Sequence, residues 1–120
     1  MTIRRKDDLK PFDSEHGETV REFFGKAVGP DGVQHSLAHI VIAPGKASLK
    51  HHHPIAEESY YILSGQARMV IDGEECAMKA SDGVVILPKR EHQIFNDGEE
   101  DLVFIAVCVP PWTPDCSVFS

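Results

Sequence analysis

His51 and His53 stand one residue apart, with Glu57 and Glu58 a few positions on, and these are the side chains here whose types and spacing suit metal binding. A strand has a side-chain period of two, so His51 and His53 project from one face. His92 lies in a second strand-like run, Ile86 to Asn96. Three neutral imidazoles and one carboxylate make a donor set for a divalent first-row transition metal, with one or two positions left open. An open position is where a metal can polarise a substrate or engage O₂. To ligate, each imidazole must be neutral, and its second nitrogen should donate to a carbonyl or carboxylate. Strand phase groups Glu58 with Tyr60 and Ile62, and Glu57 with Ser59 and Tyr61. Phase alone leaves both glutamates open as the oxygen donor. In the second run His92, Ile94 and Asn96 share a face, opposite Gln93 and Phe95.

The elements that must position these groups read as short strands. Apolar, β-branched-rich runs recur over Thr19–Lys26, His35–Ala43, Ser59–Leu63, Ala67–Ile71, Glu75–Met78, Val84–Leu87, His92–Phe95 and Leu102–Val109. Turn signals separate them, with Asp-Gly pairs at 72–73, 82–83 and 97–98, a strong hairpin signature. Many short strands without an amphipathic helix predict an all-β sandwich or barrel. Residues 1–18 and the proline-rich Pro110–Pro114 tail fall outside this rhythm, because proline stops strand pairing.

The 120 residues suffice for one domain with a core and are too few for two. Net charge is −7, which excludes a phosphate-binding surface built of clustered Lys and Arg. No apolar run reaches the ~18 residues of a membrane span, and residues 1–20 lack the apolar core of a signal peptide. Three widely spaced cysteines, Cys76, Cys108 and Cys116, suit free thiols in a reducing compartment. The expectation is a cytoplasmic protein without nucleic-acid or membrane partners.

Other residues receive quieter readings. His52 is out of phase and faces solvent, and His16, His35 and His39 are not ligands, with His39 a satisfied core histidine. Asn96 fixes the turn before Asp97-Gly98. Trp112 docks the C-terminal tail, with capping of the barrel mouth as the second reading. Cys108 is inert packing, and Glu99 to Asp101 is a solvated loop. Tyr60, in phase with Glu58, either places its hydroxyl near the metal or bonds to backbone.

The first run resembles the first motif of the cupin family, G-x5-H-x-H-x3–4-E-x6-G. Gly45, His51, His53, Glu58 and Gly65 fall on it, over residues 45–65. The six-residue gap before Gly65 selects Glu58 over Glu57. The second run, residues 81–96, resembles the second motif, G-x5-P-x-G-x2-H-x3-N, at His92 and Asn96. It departs at Ser81, Leu87 and Lys89, where Gly, Pro and Gly are usual, which questions the tight turn before His92. The resemblance implies a double-stranded β-helix (jelly-roll) barrel forming one domain over residues 1–120. It implies one divalent transition metal (Fe, Mn, Ni, Zn or Cu) in the mouth, held by His51, His53, Glu58 and His92. Glu58 and Tyr60 are the expected catalytic residues and a homodimer the expected assembly, with the adjacent rings of Phe23 and Phe24 facing opposite ways. The expected activity is metal-dependent and acts on a small anionic or keto/enol substrate. Dioxygenase-type oxidoreductase chemistry leads, with Lewis-acid isomerase, cyclase or decarboxylase chemistry second and non-catalytic small-molecule binding third.

Overall fold

The computed structural model describes residues 1–14 and 17–120, so His16 lies outside the described residues. After a 3₁₀ turn at Lys6–Asp8 come β1 (Phe12–Asp13), β2 (Glu18–Phe24), β3 (Ser36–Ile42), β4 (His51–His52), β5 (Glu57–Ser64) and β6 (Gln66–Ile71). They are followed by β7 (Glu74–Lys79), β8 (Gly83–Ile86), β9 (His92–Phe95), β10 (Leu102–Val109) and β11 (Val118–Phe119). One sheet runs β1-β2-β3-β10-β5-β8 and the other β11-β4-β9-β6-β7. Every named pairing is antiparallel. This is the all-β double-stranded β-helix architecture expected from the sequence.

Alternation positions the core. In β5 the buried residues are Glu58, Tyr60 and Ile62; in β10 they are Leu102, Phe104, Ala106 and Cys108. Ile94, Met69 and Met78 supply the facing sheet. The inner rows of both sheets thus fill the space between them, and burial of apolar area drives the sheets together. Asp72 (φ 49°) and Gly73 (φ 81°) form the two-residue turn joining β6 to β7, a conformation that Asp-Gly tolerates. Gly65 is held to glycine twice over: its φ is +86°, and a Cβ would lie 2.5 Å from the Asp101 carbonyl oxygen.

The expected strand at Thr19–Lys26 begins one residue earlier and ends two earlier, at Glu18–Phe24. The C-terminal tail also returns to the fold, because Val118 and Phe119 pair with His52 and His51. A register shift between Glu22 and Phe24 breaks the alternation assumed for the two phenylalanines. Both rings are half-buried and 6.4 Å apart, and the Arg4 guanidinium lies 5.5 Å from the Phe24 ring centre. His39 sits on the face of β3 opposite Ile40 and Ile42, half-buried, with its Nδ1 unpartnered. That corrects the reading of a satisfied core histidine: strand phase turns it away from the core. No helix among the described residues is long and apolar enough to cross a membrane.

Candidate metal centre and cavity

Four side chains from three strands and one loop converge at one end of the barrel. His51 on β4 stands opposite His92 on β9 in register, so their rings lie 4.2 Å apart, centre to centre. His53 follows β4, and Glu58 reaches in from β5 of the other sheet. One donor atom from each of His51, His53, Glu58 and His92 lies within 4.8 Å of the other three. Glu58 Oε1 is 3.3 Å from His53 Nε2 and 3.5 Å from His92 Nε2. Donors bound at about 2.0–2.2 Å to one ion stand roughly 3–4 Å from each other, so the set needs only small side-chain adjustments to close on a metal.

The second nitrogens explain why the rings face inward. Nδ1 of His51 lies 2.8 Å from the Leu49 carbonyl, Nδ1 of His53 3.1 Å from that of Cys116, and Nδ1 of His92 3.0 Å from that of Arg90. Carbonyls only accept, so each Nδ1 carries the proton, and in the neutral ring each Nε2 offers a lone pair to the common point. His92 Nε2 is buried without a hydrogen-bond partner. An orphaned acceptor there, beside a buried carboxylate, fits a cation.

Electrostatics match. Burial and then the neighbouring His92 push His51 down to about 4, so its ring is neutral near pH 7. Burial also opposes charge on His53, but its hydrogen bond and ion pairing with Glu58 prevail and raise it. Burial alone would raise Glu58; its hydrogen bond with His53 and the nearness of His92 outweigh it and bring it down to about 2. A second proton taken up by His53 would stand between ring and carboxylate, in the place that a cation would take.

Three of the four donors, His51, His53 and Glu58, border a cavity of about 210 Å³, small beside the roughly 300–1,000 Å³ of drug-sized ligand sites. Tyr60 lines it and is buried; burial and the nearby Glu58 and Glu18 raise its hydroxyl well above the ordinary value, as does a hydrogen bond with Glu58. It thus stands beside Glu58, as its phase required. Trp112 lines the cavity, and its backbone N–H donates to Ser36 Oγ at 3.1 Å, so the residue both docks the tail and borders the cavity. Asn96 is a turn residue, donating to the Ile42 and Glu100 carbonyls and accepting from Gly98 N–H. His52 and His35 lie outside the donor cluster. Cys108 is buried and pushed up to about 12, chiefly by desolvation, which makes it an inert thiol.

Two cavity residues escaped the sequence reading. Glu18 and Glu22 on β2 line the wall together with Val20. Burial, then the Glu58 charge, pushes Glu18 from 4.5 up to about 7, and burial raises Glu22. The available signal was the alternation Glu18-x-Val20-x-Glu22. Starting the strand at Thr19 left Glu18 out of it.

The irregular second motif keeps its shape. Ser81 (φ 75°) and Lys89 (φ 72°) adopt the left-handed conformation that glycine would take more cheaply. Lys89 N–H donates to the His53 carbonyl at 2.7 Å, which anchors that turn beside the donor set.

Residues 38–108 match the family model described as Cupin domain. An uncharacterized protein of Methanocaldococcus jannaschii is 35% identical over 107 residues, 89% of this chain and 85% of that protein. An oxalate-binding protein of Thermotoga maritima is 33% identical over 73 residues, 61% of this chain and 60% of that protein. The crystal structure of a predicted oxalate decarboxylase from Thermotoga maritima superposes with a TM-score of 0.83 at 23% identity, covering 91% of this chain and 99% of that one. At that identity the likeness is one of fold.

Proposed function

The chain belongs to the cupin family, and from that premise we propose that it is a metal-dependent enzyme. It acts on a small oxygen-chelating substrate by Lewis-acid and proton-transfer chemistry. His51, His53, Glu58 and His92 would hold one divalent transition metal, drawn from Fe, Mn, Ni, Zn and Cu. The observation that carries the reading is Glu18, a carboxyl facing the same small cavity as three of the four donors, His51, His53 and Glu58.

A metal there would polarise a substrate carbonyl or enol oxygen. The chain's own groups do the rest. Glu18 takes a proton from the carbon or oxygen beside that carbonyl and returns it elsewhere, as isomerisation, cyclisation or decarboxylation requires. Its value of about 7 suits both directions. Tyr60 donates to Glu58 and keeps the carboxylate aimed. Val20, Ile40 and Trp112 exclude water from the cavity. The relative named for binding oxalate supports a small chelating anion as the ligand class. Dioxygenase chemistry is the second reading, favoured by the mostly apolar wall.

The test is hydrogen exchange into D₂O at the α-carbon of 2-hydroxy ketones and 1,3-diketones, followed by NMR on the zinc-loaded protein. Exchange by wild type should rise with pH through about 7, because the base is the ionised Glu18. Glu18→Gln should lower it at least ~100-fold. Exchange that Glu18→Gln leaves intact refutes the reading, and O₂ uptake by the iron-loaded protein would shift it to the oxygenase.

A further inference from the structure

Resting on the metal centre proposed above, we infer that this cavity selects a singly charged, two-oxygen chelator with a small apolar body and disfavours compact dicarboxylates. Three features of the lining support it. No Lys or Arg is found among the described residues that line the cavity, so a second negative charge on a ligand would meet no cation beyond the metal. Two further carboxyl groups, Glu18 and Glu22, share the wall with Glu58 and would repel it. Much of the rest of the wall is apolar: Val20, Ala38, Ile40 and Ala106 offer surface to hydrocarbon and no hydrogen bond to a distal carboxylate, and the Trp112 ring adds an apolar face.

Charge counting sets the preference. A dication with the Glu58 carboxylate leaves one positive charge in a poorly solvated pocket. A monoanion balances that charge at the metal; a dianion adds an uncompensated negative charge beside Glu18 and Glu22, which burial makes expensive. The apolar wall then separates monoanions by their bodies, since each buried methylene favours binding.

Zinc-loaded protein is titrated by calorimetry at pH 7.5 with oxalate, acetohydroxamic acid and benzohydroxamic acid. All three present two oxygens in a five-membered chelate; the hydroxamic acids lose one O–H proton to buffer and bind as monoanions. Trp112, the one tryptophan of the chain, reports filling of the cavity by its fluorescence. Benzohydroxamate should bind at least ten-fold tighter than acetohydroxamate, and acetohydroxamate at least ten-fold tighter than oxalate. Glu18→Gln should improve oxalate binding several-fold. Oxalate binding as tightly as either hydroxamate while zinc is retained overturns this inference and leaves the metal centre standing. Failure to retain zinc in buffer alone removes both.

Discussion

A buried nitrogen with no partner is costly, and His92 Nε2 is one such atom. A metal would relieve that cost and a substitution would remove the ligand, so the residue separates coordination from mere packing. His92→Ala should weaken zinc binding by a hundred-fold or more, whereas His52→Ala, one position out of phase, should change it less than three-fold. Equal losses in a zinc titration would overturn the assignment of phases. The four donors were legible because each lies in a run with a fixed period, and because the gap to Gly65 chose between adjacent glutamates. Glu18 was less so: alternation groups it with Val20 and Glu22, but whether that face turns inward is set by pairing with Ile42 across 24 residues. His39 failed for a related reason. An apolar strand buries one of its faces fully, and the sequence run does not say which.

At the scale of elements, longer strands were legible and two-residue strands were not. β4 and β11 are too short for a periodic signal and form because they find each other. Their pairing brings the Cys116 carbonyl to His53 Nδ1, with Ser117 Oγ 3.3 Å from the same nitrogen. Such outer partners fix the tautomer and orientation of a ligating imidazole. Deleting residues 116–120 should therefore lower zinc affinity by about 10–100-fold. The deletion should leave the far-ultraviolet circular dichroism of the sheets largely unchanged. Undiminished zinc affinity would show that the tail only covers the cavity. The prolines at 110, 111 and 114 had suggested a tail outside the fold, yet proline stops pairing only where it stands, and the chain resumes a strand four residues later.

For the molecule as a whole, a metal that binds the folded chain and not the unfolded one raises stability by mass action, about 2.7 kcal/mol at one hundred times Kd. Thermal melts at pH 7.5 should show that gain with zinc. It should shrink sharply at pH 5.5, because His53, whose value lies above 6.5, must shed its proton to ligate. His51, held near 4, adds nothing to the loss in this range. An equal gain at both pH values would contradict imidazole ligation. Glu58 hangs from the six-stranded sheet, while His51 and His92 belong to the five-stranded one. Any ion gripped by all of them rivets the two halves of the barrel at one rim. The β6–β7 hairpin, in which none of the four donors sits, would stay free to breathe, so occupancy would stiffen the molecule lopsidedly, from the mouth inward.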